Sequence, residues 1–236
     1  MRDYAALEHL FIERLGLERR PIAVSFHDQP PSGLPAFTGV EPAGCGFWRL
    51  AAAGQAFYTK PENHYNCPIG AYTHNIPLPP ERQPELERTI GLMASLGYLR
   101  WEEVPAIARM KTTPAAVSYA PLAKTPPDPD AVLFAGRPRS MMLLQEAALR
   151  AGVAAEQRLL ARPTCMAIPA ALAGGAVASN GCIGNRVYTE IGDDELYVVI
   201  PGKDVFRVAA EIATITAANT ELAAYHRTRL ETLRSE

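Results

Sequence analysis

Apolar and polar positions follow two different periods along this chain, and each change of period marks an element. In "MRDYAALEHLFIERLG" the apolar residues Tyr4, Leu7, Leu10, Phe11 and Leu15 recur every three to four positions with charges between them. That spacing predicts an amphipathic helix over about 3–16, not the unbroken apolar core of a signal peptide. "PIAVSF" (21–26) is a short apolar run and predicts a strand, followed by a proline- and glycine-rich loop, "DQPPSGLPAFTGVEPAG". A short helix starting at Cys45, a strand at "QAFYT" and a loop holding Cys67 come next. "PERQPELERTIGLMASLGY" returns to the helical period, with Leu86, Ile90, Met93 and Leu96 on one side and Pro80 near its start. Beyond a loop with "EEVP" lie a strand, "AAVSYA" (115–120), and a polar, proline-stiffened linker, "PLAKTPPDPD". A strand "AVLFAG" (131–136) then leads to a helix "SMMLLQEAALRAG" with Gly152 as its cap. Cys165 opens a further short helix, a strand and a loop carrying Cys182, and "ELYVVIPG" is the clearest strand of all. The C-terminal stretch reads as one long helix, with Val205, Val208, Ile212, Ile215 and Leu222 on its buried side. Helices flanking short strands predict an α+β fold around mixed sheet.

The same segments recur in order. "PIAVSF" (21–26) parallels "PDAVLF" (129–134). "CGFWRLAAAGQAF" (45–57) parallels "CMAIPAALAGGAV" (165–177) without a gap, so Cys45 matches Cys165 and Gly54 matches Gly174. "CPIGAYT" (67–73) parallels "CIGNRVYT" (182–189) with two small insertions, and "AAVSYAPL" and "ELYVVIPG" are both strands ending in proline. The expectation is a single domain, 1–236, of two similar α/β halves, about 20–121 and 128–202, related by a pseudo-twofold axis and flanked by the terminal helices. Such an axis brings the four cysteines of the chain toward one place.

Composition narrows the partners. The chain is 48% hydrophobic and 20% charged with net charge −2, an ordinary globular balance. It has no basic face or Lys/Arg run that favours nucleic acid or an anionic membrane. No stretch approaches the ~18 apolar residues of a membrane span, so a cytoplasmic location is the expectation. "GGAVASNG" has neither dinucleotide-fingerprint nor Walker spacing, so no nucleotide loop is read there.

The chemistry rests on Cys45, Cys67, Cys165 and Cys182. Cys45 and Cys165 are placed at the starts of short helices, and Cys67 precedes Pro68, a residue that favours the first helical position. Backbone N–H groups there are expected to lower a thiol pKa and to bond cluster sulfur. Gly44, Gly46, Gly181 and Gly184 leave room for backbone to approach a bulky group. Four thiolates close a tetrahedral zinc site or hold a four-iron cluster. The close C-x-x-C pairs usual for structural zinc are absent, as is any standard iron–sulfur spacing. Two disulfides, plain core cysteines, and a nucleophilic cysteine with His64 or His74 beside Cys67 are the other readings, each histidine being read by default as exposed. Trp48, Phe57 and Tyr58 are read as core or as a shield around a cofactor, and Arg49 and Lys60 as solvated surface. Arg186 faces an anionic substrate or cluster, or pairs with Asp193, Asp194 or Glu195.

"RPTCMAIPAALAGGAVASNGCIGNRVYTEIGDDELYVVIP", together with "GCGFWRLAAAGQAFYT" and "NCPIG", resembles the uncharacterised family numbered 169 among domains of unknown function, also called an archaeal cysteine-rich family. The likeness runs from "PIAVSF" to the C-terminal helix, and its most specific parts are the C-x-G-x-R stretch at Cys182 and the "DDELYVVIP" strand. The resemblance implies no established reaction. It implies cysteines at the positions of Cys45, Cys67, Cys165 and Cys182, an arginine at Arg186, and occurrence mostly in anaerobes, where iron–sulfur chemistry is common. The expectation is a 4Fe–4S cluster on the four cysteines, with Gly181, Gly184 and Arg186 around it, zinc or no cofactor being the alternatives. The expected role is redox or electron transfer with a partner protein or a small-molecule substrate. The alternatives are a non-redox small-molecule binding module and a cluster- or thiol-dependent enzyme acting on a small anion.

Overall fold

The computed structural model describes residues 2–126, 128–154 and 156–235. Its centre is one seven-stranded sheet in the order β2-β3-β1-β4-β7-β6-β5. The strands are β1 (Ile22–His27), β2 (Phe57–Thr59), β3 (Ala116–Pro121), β4 (Ala131–Gly136), β5 (Leu159–Leu160), β6 (Val177–Ser179) and β7 (Leu196–Pro201). Only β5 and β6 pair in parallel; all other neighbours are antiparallel. With helices on both sides of it, this is an α+β fold.

Both sheet faces are covered, which is why β3 and β4 read as continuous apolar runs. Alternation sends Ala23, Val132, Phe134, Val198 and Ile200 into one core. There they meet Leu7, Phe11 and Leu15 of α1 (Tyr4–Leu15), Met141 and Leu144 of α5 (Pro138–Arg150), and Val205, Val208 and Ile212 of α8 (Val205–Ser235). Ile22, Val24, Val117, Tyr119, Leu133, Val177 and Val199 point the other way, against α2 (Gly46–Ala52) and α6 (Ala167–Gly174). Every cysteine belongs to this second layer or to the segments beside it.

α1 begins and ends where its residues dictate: the Asp3 carboxylate accepts the Ala6 N–H at 2.9 Å, and Gly16 closes the helix with φ 63°. Four expectations need correction. "PLAKTPPDPD" is not a free linker: Leu122–Lys124 forms a 3-10 turn, Leu122 is fully buried, and the Ala123 N–H donates to Glu8 at 2.8 Å. One residue of that stretch, Pro127, lies outside the described residues. In α4 (Gln83–Ser95) only Ile90 is buried, and Leu96, just past its end, is 74% exposed. In α8 the buried stripe stops at Ile212, and Leu222 is 57% exposed. Finally, β1 and β4 pair with Ala23 opposite Val132, so the matched residues Ala23 and Ala131 point to opposite faces. A one-residue displacement reverses every side chain of a strand, and the likeness of "PIAVSF" to "PDAVLF" is therefore not a correspondence of buried positions.

Candidate functional site

Four separate segments deliver the cysteines to the α2/α6 side of the sheet. Cys45 immediately precedes α2, held by backbone bonds of its turn: the Gly46 N–H donates to Ala43 and the Trp48 N–H to Cys45. Cys67 caps α3 (Pro68–Thr73); its Sγ accepts the Gly70 N–H at 3.3 Å and faces the Gly44 N–H as well. Cys165 is the middle residue of the 3-10 turn Thr164–Met166 that leads into α6. Cys182 precedes α7 (Ile183–Thr189). α2 packs on α7, and α3 packs on the Thr164–Met166 turn, so each cysteine segment of the first half meets one of the second. The buried Thr164 hydroxyl ties two of them together by accepting the Cys182 N–H at 2.5 Å.

The result is convergence. Each of the six pairings among the four thiols is close enough that ionising one sulfur opposes ionising the other. All four are free thiols, Cys45 buried and the others half-buried. Burial, with Cys67 and Cys182 adding to it, pushes the Cys45 thiol up to about 12. Burial likewise raises Cys67, and it raises Cys165 well above an ordinary thiol, with Cys67, Cys182 and Cys45 contributing. This corrects the expectation of thiols acidified by helix starts. The helices are only six to eight residues long, and loss of water plus mutual repulsion outweighs the few N–H groups they offer.

Among the described residues, no group of three or more His, Cys, Asp or Glu is placed to hold a metal ion. In kind, the donors suit iron–sulfur: four thiols and backbone N–H groups, walled by Phe47, Trp48, Ala167 and Ile168.

The histidines are not where the sequence puts them. His64 and His74 are buried, each 1% exposed. The Thr59 hydroxyl donates to the Val117 carbonyl at 3.0 Å, so its oxygen accepts the bond from His64 Nε2–H at 2.8 Å. Nδ1 of His64 and both nitrogens of His74 are without partners, and burial lowers their pKa values to about 3 and about 4. Neither histidine is hydrogen-bonded to Cys67. Arg186 is committed to backbone: it donates to the carbonyls of Gly192 (2.8 Å), Asn180 and Glu195 (3.1 Å), with Asp193 at 4.0 Å. Arg49 pairs with Glu41 at 3.3 Å instead of being simply solvated. Gly181 adopts φ 79°, which needs glycine, and Gly46 makes room for the Glu41 carboxylate; Gly184 is crowded by nothing. Trp48 and Phe57 are buried core.

Sequence reasoning passed over two residues of this layer. Tyr119, on β3, is fully buried beside Cys165, Cys45 and Cys67, and its hydroxyl has no partner. Asn185, on α7, is buried between Cys45 and Tyr197 with neither amide atom in a formed hydrogen bond. The signal was present but faint: a tyrosine in a mostly apolar strand, and an amide inside the "GCIGNR" stretch.

Among the described residues no helix is long and apolar enough to cross a membrane. No curated protein and no solved structure matches the chain. The family profile described as uncharacterised ArCR matches residues 11–211, spanning the sheet, both helical layers and all four cysteine segments. The chain belongs to this family, domain-of-unknown-function family 169.

Proposed function

We propose that the protein binds one 4Fe–4S cluster through Cys45, Cys67, Cys165 and Cys182 and serves in redox or electron transfer in the cytoplasm. The observation that carries the reading is the convergence of four free thiols, each from a different segment, into one apolar layer. Four unrelated core cysteines have no reason to meet. Ligand sulfurs around a four-iron cube stand roughly 6–7 Å apart, wider than around one zinc ion, and thiols drawn from four separate segments suit the larger group.

The proposed relation between two halves gains support from the sheet. Phe57 pairs with Tyr119 as Val177 pairs with Val199, and Ile22 with Pro121 as Ala131 with Pro201. These matched registers are what two halves related by a twofold axis at the β1–β4 pair would give. A bound cluster supplies reversible one-electron chemistry. The residues here hold it, exclude water with Phe47 and Trp48, and offer N–H groups from Gly44 and Gly70 to the Cys67 sulfur. For Cys67 a nucleophilic role is disfavoured by the same burial, since a thiol held above its ordinary pKa is a poor thiolate at neutral pH.

Purification without oxygen tests the reading. A brown protein with broad absorption near ~400 nm and equal iron and acid-labile sulfide is expected, and each single Cys→Ser variant should lose that absorption. Colourless protein containing neither iron nor sulfide after anaerobic reconstitution overturns it, and stoichiometric zinc would replace the cluster with the mononuclear alternative.

A further inference from the structure

Several buried polar groups in the cysteine layer are unsatisfied, among them Trp48 Nε1, His64 Nδ1, both nitrogens of His74 and the Tyr119 hydroxyl. Tyr119 is 0% exposed and its phenol oxygen has no partner, while Asn185, 2% exposed, makes no hydrogen bond of full geometry but turns its amide to the Cys45 sulfur and the Tyr197 hydroxyl. A buried hydroxyl or amide without a hydrogen bond costs about 1–3 kcal/mol, so a fold keeps one only with a reason. Their surroundings are selective. Around the phenol are Phe47, Phe57 and His64 ring to ring, with Cys165, Cys45 and Cys67 the charged or chargeable groups it feels. Tyr197, the other buried tyrosine of this layer, has what Tyr119 lacks: the Thr189 hydroxyl at 3.2 Å. Asn185 follows Cys182 by one helical turn and lies beside Cys45. On its other side the Gly181 backbone leaves the amide oxygen just enough space.

Both groups carry N–H or O–H donors: Tyr119 shares one packed cluster with Cys45, with Cys67 and Cys165 against it, and Asn185 faces Cys45. Resting on the cluster reading above, we propose that Tyr119 Oη–H and Asn185 Nδ2–H are donors to the sulfur atoms of the bound cluster, the phenol unsatisfied in the chain alone and satisfied on loading. Sulfide and thiolate sulfurs are anionic acceptors, and the number of hydrogen bonds to them sets a cluster's reduction potential. Outer donors of this kind also govern how firmly a metal group is held. Tyr119 suits the task because it remains a donor: in this apolar setting the phenol has no counter-charge to favour its ionised form.

The test is Tyr119→Phe, which removes one oxygen and leaves the ring packing. Wild type and variant are reconstituted anaerobically with ferrous iron and sulfide, and each is also studied without metal. In the metal-free state the variant is expected to be as stable as wild type or more so, because an orphaned hydroxyl has gone. In the loaded state it is expected to lose iron to a chelator about tenfold faster. Its reduction potential should move to a more negative value, since a bond that favours the reduced, more anionic cluster is missing. Loaded variant and wild type with equal potential and equal iron retention would overturn this inference while leaving the cluster intact. Failure of wild type to take up iron and sulfide overturns the cluster reading and this inference with it, and the two failures are told apart by the wild-type protein alone.

Discussion

His64 and His74 show how far a side chain's surroundings decide its chemistry. Both are neutral in the folded chain because burial excludes the charged form, which lowers their pKa values to about 3 and about 4. In the unfolded chain each takes up a proton near ~6.5. Below that pH the unfolded state binds more protons than the folded one, so stability is present above it and is lost as pH falls toward 4. His27, lowered by burial as well, acts in the same direction. The expected slope reaches about 1.4 kcal/mol per pH unit for each buried imidazole. Urea unfolding of the metal-free protein between pH 7 and pH 5 should show the midpoint falling steadily; a flat profile would mean the imidazoles are accessible. Arg186 carries a related lesson. The residue type suggested an anion or the nearby acids, and the guanidinium is taken up by three main-chain carbonyls, Asn180 before α7 and Gly192 and Glu195 after it, with Asp193 at 4.0 Å.

At the scale of elements, α8 divides into two parts. It runs 31 residues, about 46 Å at 1.5 Å per residue, yet its buried residues end at Ile212. Beyond Ile215, which is half-buried against that core, the helix has no buried stripe, and isolated helical segments of that length are marginal in water. Amides of residues 205–212 are expected to exchange slowly with solvent and those beyond 220 rapidly. Truncation after residue 218 should lower the helical signal while leaving the thermal midpoint within about 2 °C, a shift corresponding to less than 1 kcal/mol. A larger loss would show that the projecting half is packed against something in solution. The short helices α2, α3 and α7 work differently: each starts directly after a cysteine, so the helix start fixes where the sulfur lies.

The whole molecule brings those starts together, and protons report it. Cys45, Cys67 and Cys165 all hold their protons at pH 7, because their pKa values are raised by burial and by one another. Metal ligation requires the thiolate, so loading should expel about three protons from these residues alone. Titrating ferrous iron and sulfide into weakly buffered protein reads that number once the protons given up by hydrosulfide on becoming cluster sulfide are subtracted, and loading should weaken as pH falls. Release of no protons beyond those of the sulfide would mean the thiols are not the ligands. Much of the architecture could be read along the chain: the periods located β1, β3, β4, β7, α1 and α5 to within about two residues, since local alternation reflects which side of an element is buried, but α3 and α7, too short to show a period, lie where loops were read. The recurrence of Cys-Ile-Gly and Tyr-Thr was equally visible. What period and spacing do not carry is pairing across the sheet. Only the sheet put Ala23 opposite Val132 and buried Leu122. It also carried His64 and His74 inside and left Tyr119 without a partner among three thiols. Those facts depend on contacts between residues far apart in the chain, and no local pattern encodes which distant group will fill, or leave open, the place beside a buried donor.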